Sequence, residues 1–113
     1  MAGLALALTL SAASGSDQVA QTATVTGEVI DLGCYLANGA RGPGHAACAR
    51  KCIEAGRPAG LRTKPGIIYV LIGRREVLIA QLAPLAGKMV TVSGQYASRD
   101  GMVALENPQI VKQ

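Results

Sequence analysis

The chain contains no phenylalanine and no tryptophan, and its aromatic residues are Tyr35, Tyr69 and Tyr96. Whatever it folds into must be filled by Val, Ile, Leu and Ala. These side chains occupy less volume than aromatic rings. At 113 residues the chain makes one small domain, close to the size below which a core no longer suffices by itself. A cross-link or a bound metal ion would therefore add useful stability. The net charge of +4 is mildly basic, which suits an anionic partner and equally suits plain solubility.

The side chains able to supply such a staple are concentrated in one stretch. Cys34, Cys48 and Cys52 are all the cysteines of the chain, and His45 is its only histidine. Placed on a helix at roughly 100° per residue, Cys48 lies at about −60° and Cys52 at about −20° from His45. The three share one stripe, and Cys34 could close over it from the preceding segment. Arg50 and Glu54 fall opposite, and Lys51 falls beside Cys48, where its charge would favour thiolates. Three thiolates and an imidazole make a tetrahedral site for zinc or Cu(I). Calcium and magnesium want oxygen ligands and do not suit it. The spacing His-x2-Cys-x3-Cys is not that of a standard zinc finger. Two alternatives stand beside the metal site. Cys34 could form a disulfide with Cys48 or Cys52, or Cys48 with Cys52 at a geometrically tight spacing on a regular helix, leaving one thiol over, or the unpaired thiol could do redox chemistry. The chain has no C-x-x-C and no C-x-x-C-H, which disfavours a thioredoxin-like exchange motif and covalent haem attachment.

The N-terminus predicts export. Residues 2–10 are small and apolar, Ser11-Ala12-Ala13 suits cleavage after residue 13, and no basic residue precedes the run. This gives a signal peptide over 1–13, a linker over 14–22 and a domain over 23–113. The apolar run is shorter than the roughly 20 residues that cross a bilayer, and no other segment qualifies as a transmembrane span. The expected location is periplasmic or secreted, where thiols tend to pair.

The remaining pattern predicts a mainly β protein. Strands are expected over residues 23–32, 67–72, 76–79, 88–96 and 102–106, with a loop over 33–44, a helix over 45–55 and a helical turn over 80–86. Gly56 and Pro58 stop the helix. Asp100-Gly101 marks a hairpin, Pro108 ends the strand that returns from it, and Ile110-Val111 adds a short last pairing. The order matches a five-stranded OB-like barrel with one short helix inserted between strands 1 and 2, a connection that borders the usual binding face of that fold.

Thr26-Gly27-Glu28-Val29-Ile30-Asp31, followed by Cys34-Tyr35-Leu36, resembles the opening of small exported bacterial proteins of unknown function. The segments from Gly44 to Cys52 and from Ala86 to Gly94 resemble the same group, and the likeness spans most of the domain. It implies an OB-like fold and the cell envelope, and it implies no activity.

Other function classes find little support. Arg57, Arg62, Lys64, Arg74 and Arg75 make the middle of the chain basic, but single-strand nucleic acids need aromatic platforms, and three tyrosines offer no pair on any strand. No G-x-S-x-G, H-E-x-x-H or Walker spacing is present, so the chain is not expected to be an enzyme of those kinds. The sequence thus predicts an exported binding domain with Cys34, His45, Cys48 and Cys52 around zinc or Cu(I). The alternatives are a disulfide-stapled module that binds an envelope protein, and a thiol redox protein.

Overall fold

The computed structural model describes Gly3, residues 21–64 and residues 66–113. The expected signal and linker lie outside these residues, apart from Gly3 and from Gln21 and Thr22, which open the first strand.

Among the described residues five strands carry the fold: β1 (Gln21–Asp31), β2 (Ala59–Arg62), β3 (Ile68–Ile72), β4 (Met89–Arg99) and β5 (Met102–Lys112). They close into a barrel in the order β1-β2-β3-β5-β4, with β4 returning to β1. All pairings are antiparallel except β3 with β5. The long β1 makes closure possible. Its first part pairs with β4 and its last part with β2, and Glu28 is paired to both Met89 and Arg62. Gly27 sits at this changeover. A Cβ there would come 2.7 Å from the Arg62 carbonyl oxygen and 2.9 Å from Leu61 Cγ, so only glycine lets the strands approach this closely.

Helices occupy two connections. Between β1 and β2 lie α1 (Leu32–Asn38), a short 3-10 turn (Pro43–His45) and α2 (Ala46–Glu54). Between β3 and β4 lie α3 (Arg75–Leu82) and a second 3-10 turn (Ala83–Leu85). The barrel therefore carries more than the single inserted helix that the pattern predicts. Residues 33–44 are not all loop. The Asp31 side chain caps α1 by accepting from the Gly33 and Cys34 amides, and Gly39 ends it in the left-handed region at φ 71°. Residues 76–79 are helix, not strand. Their short apolar run fits either period alone, but it continues into Ala80, Gln81 and Leu82, which are good helix formers, and Leu78 and Leu82 share the inward face.

The strand count of five is right for a reason the pattern does not contain. β2 is only Ala-Gly-Leu-Arg, too short and too poor in β-branched residues to read. It exists because it is paired on both sides, by β1 and β3, with Leu61 fully buried. Pro108 does not end β5, which runs on to Lys112. Pairing breaks register between Ser93 and Gln95. There Asn107 adopts φ 51°, and buried Pro108 occupies the irregularity, where its missing N–H costs no ladder bond. The Asp100-Gly101 turn joins β4 to β5 with both residues at positive φ, as an Asx-Gly hairpin requires.

The core is aliphatic, as the composition demands. Val29, Leu61, Leu82, Val92 and Leu105 are fully buried, joined by Ile53 of α2 and Leu71 of β3. Each such side chain contributes about 1.5–3 kcal/mol relative to exposure. Helix α2 presses its Ala49 and Ile53 into this cluster. Its first turn lies against Gly87, where a Cβ would come 2.7 Å from Ala46 Cβ. Among the described residues no helix is long and apolar enough to cross a membrane.

Candidate metal centre

The cysteines sit on the two helices of the β1–β2 connection. Cys34 lies in the first turn of α1, directly after the buried end of β1. Cys48 and Cys52 lie four residues apart on α2, on the flank between its core face (Ala49, Ile53) and its solvent face. The solvent face carries the Arg50–Glu54 ion pair at 2.8 Å, between residues about one helical turn apart on the side expected for them. Two anchors bring the helices together. The Leu32 amide donates to the Pro58 carbonyl at 3.0 Å and the Arg57 amide to the Cys52 carbonyl at 3.0 Å, which ties the start of α1 and the end of α2 to one segment.

The result is a convergence of sulfur. The Sγ atoms of Cys34, Cys48 and Cys52 all lie within 4.8 Å of one another. All three are free thiols and no disulfide joins them. Cys34 and Cys52 are half-buried and Cys48 is exposed, so the cluster opens to solvent on one side. A tetrahedral ion with metal–sulfur bonds of about 2.3 Å needs sulfurs roughly 3.8 Å apart, which lies inside this range. The three cysteines are thus close enough to hold a metal ion.

His45 ends the 3-10 turn and precedes α2. The turn is held from β1, where Glu28 Oε2 accepts from the Gly42 amide at 2.6 Å, and the His45 amide closes back on the Gly42 carbonyl at 3.0 Å. The imidazole joins a second group, with Asp31 and Cys34, whose ligand atoms also lie within 4.8 Å of one another. Cys34 is common to both groups. His45 Nε2 is buried and has no hydrogen-bond partner among the described residues. A buried polar nitrogen left unsatisfied is costly, and a metal ion is one of the few things that would satisfy it.

Asp31 is the residue the sequence did not single out. It is fully buried at the end of β1. Its Oδ1 accepts from the Gly33 amide at 3.0 Å and its Oδ2 from the Cys34 amide at 3.4 Å. Burial alone would raise its pKa. The Cys34 thiol, the Gly33 amide, the Cys52 thiol and the Cys34 amide all bond to the charged form, and together they hold the carboxyl below its usual 3.8. The same contact acts in reverse on the sulfurs. Bonding to Asp31, with burial and the carboxylate charge adding to it, pushes the Cys34 thiol up to about 11. Bonding to Asp31 is also the largest cause raising Cys52, again with burial and the carboxylate charge behind it. Without a metal these two sulfurs are held as thiols. That is the opposite of the low-pKa thiolate that redox chemistry uses, whereas a metal ion displaces the protons itself. One local signal could have exposed Asp31: an acidic residue three positions before Cys34, at a helix start, is a capping pattern.

Comparison with protein-family models, with curated proteins and with solved structures gives no match for this chain.

Proposed function

We propose that this chain is a small exported OB-type domain whose β1–β2 insertion binds zinc or Cu(I) through Cys34, Cys48 and Cys52, with His45 as the nitrogen ligand. The observation that carries the reading is the meeting of three free sulfurs from two separate helices within 4.8 Å. The softness of thiolate selects zinc or Cu(I) over calcium and magnesium. The buried, unpartnered His45 Nε2 beside Cys34 supports the nitrogen ligand.

Support for the OB-type reading comes from the closed strand order and from a helix, α3, in the connection between β3 and β4, where that fold usually carries one. The sulfur cluster lies in the connection between the first two strands, which borders the usual binding face. Support for export comes from the apolar run and small residues at the N-terminus and from the resemblance to small exported bacterial proteins.

The same proximity gives a second reading some weight. In an oxidising compartment two of the three thiols could pair, stapling α1 to α2 and leaving a metal-free module that docks on an envelope protein. Metal analysis and thiol counting on the purified protein separate the two. Stoichiometric zinc or copper with three reduced cysteines supports the metal site. One titratable thiol and no metal supports the staple.

A further inference from the structure

The two ligand groups around Cys34 carry an inference that rests on the three cysteines being metal ligands and moves His45 to an ion of its own. We propose that the insertion holds two divalent ions of the zinc class, one between Cys34, Cys48 and Cys52 and the other between Asp31, Cys34 and His45, with Cys34 Sγ bridging them. Each group has its ligand atoms within 4.8 Å of one another, and Cys34 belongs to both. A thiolate has lone pairs enough for two ions, and the second group contains His45, whose buried Nε2 lacks a partner among the described residues.

Charge points the same way. Metal binding releases the three S–H protons to solvent and leaves three thiolates, which would make three bonds to the first ion and, through Cys34, one to the second. With the Asp31 carboxylate, the cluster then carries four negative charges. One divalent ion leaves two of them uncompensated next to a carboxylate that is fully buried. Nearby cationic side chains form no ion pair with the Asp31 carboxylate. Arg57 reaches toward Gly33 but forms no ion pair with Asp31, Lys51 is exposed, and among the described residues the ion pair formed is Arg50–Glu54. A second divalent ion brings the sum to zero, whereas two Cu(I) ions would still leave two negative charges. Three protein ligands per ion leave each with room for water, the open coordination of a zinc that can exchange or act on a ligand.

The test is the zinc stoichiometry of the full chain, reduced, stripped of metal, reloaded with zinc alone and freed of loose ions before native mass spectrometry. Two zinc ions per chain are expected, with one in His45→Ala. Cadmium NMR of the same protein should show two resonances coupled through one shared cysteine. Saturation of the wild-type chain at one ion overturns the two-ion site and leaves the single-ion reading standing. Failure to retain any zinc overturns both. Two ions retained by His45→Ala overturn the second ligand group. The wild-type count decides the main question whether or not a variant folds.

Discussion

The Cys34 backbone amide donates to the Asp31 carboxylate at 3.4 Å, and the Cys34 sulfur lies within 4.8 Å of the same carboxylate. One carboxylate thus caps α1 and sets the protonation of the sulfur that both ligand groups share. The fold and the chemistry of the site meet in this pair, and the consequences can be measured.

Removing the carboxylate should damage stability and loosen the proton on sulfur. Asp31→Ala deletes the α1 cap and strips two thiols of their acceptor, a loss of about 1–3 kcal/mol in a urea melt. Asp31→Asn keeps a capping oxygen and should lose less. In both variants the Cys34 thiol should titrate closer to the ordinary 9.0 than to about 11, followed by thiolate absorbance against pH. A Cys34 titration that does not move would show that Asp31 is not its proton acceptor.

Stability of the metal-free protein should have an acid limb and an alkaline limb. The Asp31 pKa is lower in the fold than in the unfolded chain. Its contribution is present above the usual 3.8 and is lost as pH falls through the lower folded value. The Cys34 pKa is higher in the fold, so its contribution is present below 9.0 and is lost as pH rises through about 11. Urea midpoints should therefore be flattest between about pH 5 and 9, and Asp31→Ala should flatten both limbs. Midpoints in Asp31→Ala that fall as steeply at both ends as in the wild type would sink this assignment.

Zinc uptake near neutral pH should release protons. With Cys34 and Cys52 held as thiols by Asp31, and all three sulfurs binding as thiolates, about three protons leave per chain. Calorimetry in buffers of different ionisation enthalpy reads that number directly. Uptake without proton release would mean that the sulfurs are not ligands.

Gly87 offers a test of how packing places the site. It has φ 77°, and a Cβ would come 2.7 Å from Ala46 Cβ in the first turn of α2. Gly87→Ala should cost about 1–3 kcal/mol through strain and overpacking. Because α2 carries Cys48 and Cys52, it should also weaken zinc binding, whereas Gly101→Ala, which is strained at φ 85° in the β4–β5 turn but meets no neighbour, should cost stability alone. Equal zinc affinity in the two variants would separate the glycine from the site.

Much of this was legible in residue order, because the features involved are local. The Asp100-Gly101 turn, the alternation of β4 and the helix bearing Cys48 and Cys52 each follow from neighbours within a few residues. The rarity of cysteine and histidine marks Cys34, His45, Cys48 and Cys52 at once. The features that escaped depend on distant partners. β2 is strand only because β1 and β3 flank it, and Gly33 and Gly39 conceal a helix whose cap is Asp31. Asp31 gains the rest of its role from Cys52, 21 residues away, a proximity that exists only once α2 has packed beside α1.

Cysteine alkylation of the reduced full chain, with and without zinc and read by mass, tests the sulfur convergence most directly. Zinc should protect Cys34, Cys48 and Cys52 together, and a chelator should expose all three. Equal alkylation with and without zinc, or a reduced chain that reverts to a disulfide and ignores the metal, would contradict a metal centre at this site.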